Sequence, residues 1–119
     1  MGDTLLCDAG LVNNLPANMA RAEGARRIVA VDLSDSLPPC RSDAVGMEFL
    51  LRVQEITTRL ANRRCATDAD VVVVPQLDGR HWLDTTRLTD VIDEGERATR
   101  EQLPQIRALL STPVERRAI

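Results

Sequence analysis

A chain of 119 residues is one domain's worth of polypeptide, and 44% hydrophobic with 28% charged residues describes a soluble globular protein rather than a disordered or fibrous one. A net charge of -3, with arginines interleaved among acids, provides no field for phosphate backbones, so nucleic acid is excluded as the expected partner. No apolar run approaches the roughly 20 residues that cross a bilayer, and the N-terminus lacks the basic-then-hydrophobic order of a secretory leader.

In chain order, Thr4 to Cys7 reads as a short buried strand that ends at an acid, Asp8, followed by Ala9 and Gly10. Pro16 to Glu23 is a short helix, with Asn14 as a candidate cap ahead of it and Gly24 where a helix-terminating glycine belongs. Ile28 to Leu33 is a β-branched, nearly continuous apolar run of the kind found in strands covered on both faces. Strand, helix and strand over this span predict a βαβ unit with parallel strands and a right-handed crossover.

Ser34 to Ser42, with Pro38 and Pro39 adjacent, is a loop. From Asp43 to Arg64 the stripe Val45, Phe49, Val53, Ile56 and Leu60 recurs at helical spacing, while Arg52, Glu55, Arg59 and Arg63 fall elsewhere. The polar face carries both signs of charge, so the helix is expected to face a core rather than lipid. Val71 to Val74 reads as a third, central strand stopped by Pro75, and Gln76 to Leu83 as a loop. Helix resumes near Thr86, whose hydroxyl is a candidate cap, with Leu88, Val91, Ile92, Gly95 and Ala98 on one face. Pro104 is expected to start a separate final helix through Leu110, after which a frayed basic tail follows. The fold class is therefore α/β, with residues 1–110 as one unit and 111–119 as a flexible tail.

Cys7, Cys40 and Cys65 are odd in number and widely spaced, and His81 is the only histidine. Neither a zinc site nor a disulfide framework is supported, so no metal or cofactor is expected and the thiols read as reduced, in a cytoplasmic protein. In parallel α/β sheets the reactive groups gather at the carboxyl ends of strands, where loops leave an open crevice. Asp8 occupies such an end and is the candidate reactive carboxylate. Asp32, at the end of the next run, reads as an acid that accepts from nearby backbone amides. Asn13 and Asn14 are expected to bond turn backbone around Asp8. His81 reads as solvated, and Trp82 as packing beside the last strand.

The segment "CDAGLVNNLPANMARAEGARRIVAVDLS" resembles the aspartate motif of the patatin-like phospholipases, including the bacterial members related to neuropathy target esterase. Those enzymes carry Asp-Gly-Gly or Asp-Gly-Ala, then an apolar-Asn-Asn-x-Pro turn, a short Ala-rich helix and a strand ending in Val-Asp. Similar features continue through "LLRVQEITTRLANRR", "ADVVVVPQL" and "WLDTTRLTDVIDEGERATREQLPQI", so nearly the whole chain takes part. One position departs: the family's first glycine is Ala9, a substitution that costs energy only if the backbone there is left-handed.

The resemblance implies a three-layer α/β/α fold with a mainly parallel sheet. It also implies a serine lipid acyl hydrolase, acting on phospholipid or lysophospholipid esters at a membrane periphery, with a Ser-Asp dyad. Asp8 would be the base, within hydrogen-bond reach of the serine and partly shielded from water, supported by Ala9, Gly10, Asn13 and Asn14. The family's Gly-x-Ser-x-Gly nucleophile and glycine-rich oxyanion loop have no counterpart: Ser34, Ser36, Ser42 and Ser111 are the only serines, and none has flanking glycines in that pattern. The chain thus reads as the C-terminal half of a catalytic domain, without the N-terminal strands and inactive by itself. The competing expectation is a non-catalytic α/β module that uses its apolar sheet edge to self-associate or bind a protein.

Overall fold

The computed structural model describes residues 5–34, 37, 43, 45–80 and 84–112. The expectations for Cys40, Ser36, Ser42, Pro38, Pro39, His81, Trp82 and the tail beyond Thr112 lie outside the described residues. Within them the chain is α/β. Helix α1 (Ala17–Ala22) is followed by strand β1 (Val29–Val31), helix α2 (Met47–Cys65), strand β2 (Val71–Val73) and helix α3 (Leu88–Ser111), with 3-10 turns at Ala9–Leu11 and Ala66–Asp68.

Strands β1 and β2 pair in parallel, Val29 with Val71, Ala30 with Val72 and Val31 with Val73. The ladder is extended at both ends, by Val71 N–H donating to Ile28 O (3.2 Å) and Asp32 N–H to Val73 O (2.9 Å). The parallel unit is therefore β1-α2-β2, one step later in the chain than expected. Leu5, Leu6 and Cys7 are not a buried strand: Leu5 is 98% exposed and nothing among the described residues pairs with this segment. A short apolar run becomes a strand only where a partner edge and a covering face exist.

Helix α1 ends where Gly24 predicts. Gly24 takes φ +93, Ala25 N–H reaches back to Ala20 O (2.9 Å) and Gly24 N–H to Arg21 O (3.1 Å), which is the Schellman arrangement. Pro16 stands at the N-cap with no side-chain bond, so Asn14 does not cap this helix.

The buried apolar residues are Leu15, Ala17, Ile28, Ala30, Val71, Val73 and Ala98; α3 packs on β2, and α1 on the Ala66–Asp68 turn that leads into it. Two expectations about faces are overturned. Strand β1 is not covered on both faces, since Val29 and Val31 remain 45% and 51% exposed. Helix α2 turns its apolar stripe outward: Phe49, Val53, Ile56 and Leu60 are exposed, as is Val45, which precedes the helix, while Asn62 on the opposite face is buried. A two-stranded sheet is too narrow to offer the stripe a second apolar surface, and the inward face is fixed by the polar bonds of Asn62 described below.

Helix α3 is continuous through Pro104, which does not begin a separate helix. Proline in a helix interior forfeits one backbone bond and crowds the preceding turn. The turns that precede it carry ion pairs, Arg97 with Glu94 and Glu101, and Arg100 with Glu96. Thr86 donates its hydroxyl to Asp84 (2.6 Å) rather than capping α3, whose N-cap is Arg87 in a left-handed conformation. Val91 and Ala98 of the expected face turn inward, but Leu88 and Ile92 stay exposed.

Gly95 lies in α3 with no positive φ, and a Cβ built on it would meet nothing within 4 Å. Gly95→Ala is therefore expected to stabilise the protein by about 0.5–1 kcal/mol, because the unfolded chain loses freedom and the helix gains a better former. Thermal unfolding followed by circular dichroism checks this. An unchanged or lowered Tm would mean that position 95 needs the space.

Candidate functional site

A cleft of about 490 Å³ opens beside the carboxyl end of β1. Its walls come from the first 3-10 turn and its flanks (Asp8, Gly10, Leu11, Asn14), the exit of β1 (Leu33, Ser34, Leu37), the inward face of α2 (Leu51, Gln54, Glu55, Thr58) and Arg80. The four leucines make an apolar trough, and the carboxylates and Arg80 place charge along it.

Asp8 stands at the lip. It is the N-cap of the Ala9–Leu11 turn, and its Oδ1 accepts from Gly10 N–H at 2.6 Å. The residue is exposed. The expected shielding from water is absent, because the segment before Asp8 is not tucked into a sheet. The carboxylate is nonetheless oriented: one oxygen is tied to the turn, and the other has no partner among the described residues.

Gly10 lies close under the side chains of Asp8 and Asn14. A Cβ there would lie 3.0 Å from Asp8 Oδ1 and 3.2 Å from Asn14 Oδ1, tight contacts that those two side chains would have to relieve by a few tenths of an ångström. Gly10 thus lets the Asp8 and Asn14 side chains close over it. Ala9 takes no positive φ, so alanine is accommodated there without strain. Asn13 donates through Nδ2 to Asn18 Oδ1 (3.0 Å), bridging the turn to α1, and its buried Oδ1 has no partner. Asn14 lines the cleft and is exposed. The structure brings Asp8, Gly10 and Asn14 to one wall, while Asn13 and Ala9 shape that wall from behind.

Three interactions were missed in the sequence. The first is a buried polar cluster under the cleft. Asp32 Oδ1 accepts from Ser34 N–H (2.9 Å), Ser34 Oγ–H (2.6 Å) and Asn62 Nδ2 (2.8 Å), and Asn62 Nδ2 also donates to Ser34 Oγ (2.9 Å). The expectation that Asp32 accepts from nearby amides holds; the distant partner Asn62 carried no local signal. The second is Arg21, whose guanidinium donates to Ala25 O, Arg26 O, Asp68 O and Asp70 Oδ2 at 2.8–3.0 Å. Asp70 Oδ2 also accepts from Ile28 N–H (2.7 Å), and these donors hold the Asp70 carboxyl below its ordinary range, the Ile28 amide first. The third is Glu94, which accepts from Gln76 N–H (2.7 Å) and from Arg97, and whose carboxyl is pulled down to about 2, chiefly by Arg97. It ties the exit of β2 to α3.

Among the described residues no group of three or more His, Cys, Asp or Glu is placed to hold a metal ion, and Cys7 and Cys65 are free thiols. No helix there is long and apolar enough to cross a membrane. Comparison with protein-family models finds no match to this chain, and comparison with curated proteins finds none either.

Proposed function

We propose that this polypeptide supplies the aspartate of a Ser-Asp dyad in a patatin-like lipid acyl hydrolase, with Asp8 as the general base. In this reading the serine and the oxyanion donors belong to a polypeptide segment outside these 119 residues, and the completed sheet is the three-layer α/β/α arrangement of that family. The protein acts in the cytoplasm on phospholipid or lysophospholipid esters at the membrane periphery. The single observation that carries the reading is Asp8 itself, a carboxylate with one oxygen fixed by Gly10 and the other open, at the lip of a leucine-lined cleft.

The chemistry follows from that placement. A serine hydroxyl brought within about 2.6–3.2 Å of the open oxygen would pass its proton to Asp8 as it attacks the ester carbonyl, and Asp8 would return the proton to the departing alcohol. Docking of the serine-bearing segment would also supply the shielding that Asp8 lacks here. Leu11, Leu33, Leu37 and Leu51 offer the acyl chain an apolar wall.

The test begins with the coding DNA upstream of Met1. A reading frame that continues through a Gly-x-Ser-x-Gly motif should yield, when expressed together with this segment, a protein that hydrolyses p-nitrophenyl butyrate. Asp8→Asn should then lower kcat/KM by about 100- to 10,000-fold, the usual worth of a positioned general base. The 119 residues alone should show no turnover. Esterase activity in the segment alone, or full activity of the assembled protein with Asn at position 8, would refute the assignment.

A further inference from the structure

We propose that the Asp78-Gly79 link is a self-modification site, at which the folded chain converts to a β-linked isoaspartyl backbone with water as the only reagent. The inference goes beyond the hydrolase reading and is tested without it.

Asp78-Gly79 is the only Asp-Gly or Asn-Gly pair among the 119 residues. It supplies the two central positions of a tight turn, closed by Arg80 N–H donating to Leu77 O at 3.0 Å. Both central residues are left-handed, Asp78 at φ +50 and Gly79 at φ +68, the combination that Asp-Gly favours in type I′ turns. Glycine adopts such an angle freely, whereas a residue with a Cβ holds it against a steric penalty. Asp78 is exposed, and its carboxyl has no partner among the described residues. By contrast, the carboxyls of Asp8, Asp32, Asp70 and Asp84 are each engaged by a donor. The turn therefore joins a following nitrogen that no side chain crowds, a carboxyl free to swing onto it, access for water, and backbone strain that the product relieves.

The atoms balance without a co-reactant. The Gly79 nitrogen gives up its proton and bonds to Asp78 Cγ, whose hydroxyl leaves as water, and a succinimide ring closes. Water then adds to one of the two ring carbonyls. Opening at the main-chain carbonyl leaves Gly79 attached through the Asp78 side chain, so the composition is unchanged and the backbone is longer by one methylene. Residue 78 is thereby released from its left-handed angle, and the ring closed by the Leu77–Arg80 bond cannot keep its geometry. Arg80 follows directly: it lines the cleft and donates to Thr86 O at 2.9 Å. Isomerisation thus loosens a charged part of the cleft wall as the protein ages.

The 119-residue chain, kept for weeks in warm near-neutral buffer and digested with trypsin, should give peptide 65–80 as two chromatographic peaks of identical mass, with fragmentation placing the β-linkage at residue 78. An isoaspartyl methyltransferase should label the aged chain at that residue. In the converted fraction the Arg80 amide should lose its protection from hydrogen exchange. Asp78→Glu, which would have to close a larger and slower ring, should lose the second peak and the label while keeping the parent's far-ultraviolet spectrum. A parent that stays a single peak, conversion that occurs only in urea, or a label retained in Asp78→Glu overturns the proposal. So does a converted fraction whose Arg80 amide remains protected.

Discussion

Asn62→Leu is expected to lower the free energy of unfolding by about 2–4 kcal/mol, as read from urea denaturation. Asn62 is 1% exposed, and its Nδ2 donates to both Asp32 and Ser34. Leucine fills a similar volume but leaves the Asp32 carboxylate, itself 7% exposed, with one fewer donor in a place that water does not readily reach. A buried charged acceptor stripped of a partner loses desolvation compensation on the order of 1–3 kcal/mol or more. For a protein whose total stability is of the order of 5–15 kcal/mol, this is a large fraction. The loss should shrink in the background of Asp32→Ala, since the two residues then no longer share a bond. A single-variant loss below about 1 kcal/mol would mean that Asn62 is not what fastens α2 to the exit of β1.

The second large effect is expected at Arg21. Arg21→Met keeps most of the apolar stem but removes donors to three carbonyls and to Asp70, and should cost about 2–3 kcal/mol. The bonds to Asp68 O and Asp70 join residues 47 and 49 positions apart, and with those to Ala25 O and Arg26 O they clamp the turn before β1 to the turn before β2. A pH signature accompanies the loss. The Asp70 carboxyl is held below its ordinary value in the folded protein, so its contribution is fully present above the unfolded value of about 4. It is lost as the pH falls through the lower folded value. Asp70→Asn should therefore flatten the acid limb of the stability profile, and Arg21→Met should flatten it in part, because the Ile28 amide still donates. An acid limb unchanged by both substitutions would remove Asp70 from the account.

The helix over 47–65, expected from 43, the helix that begins at Leu88, both observed strands and the Gly24 terminator were legible because each rests on local chemistry: spacing, β-branching, or a glycine that can take positive φ. The elements that were not legible rest on something other than neighbours in the chain. Leu5 to Cys7 has the composition of a strand but no edge to join. The stripe of α2 has the spacing of a core face, yet the direction of the helix was decided by Asn62, whose partner lies 30 residues away. Pro104 looked like a start signal, yet α3 runs through it unbroken. At the site, Asp8 and Gly10 were named from the sequence, but the close approach of Gly10 to Asp8 Oδ1 is a distance that only coordinates supply.

Phe49, Val53 and Ile56 on the outer side of α2 also bear on how the chain fares after synthesis. Nascent copies would display a row of greasy side chains of the sort that chaperones grip and quality-control proteases recognise. Cellular abundance should then follow the supply of whatever shields that row more closely than it follows the rate of translation.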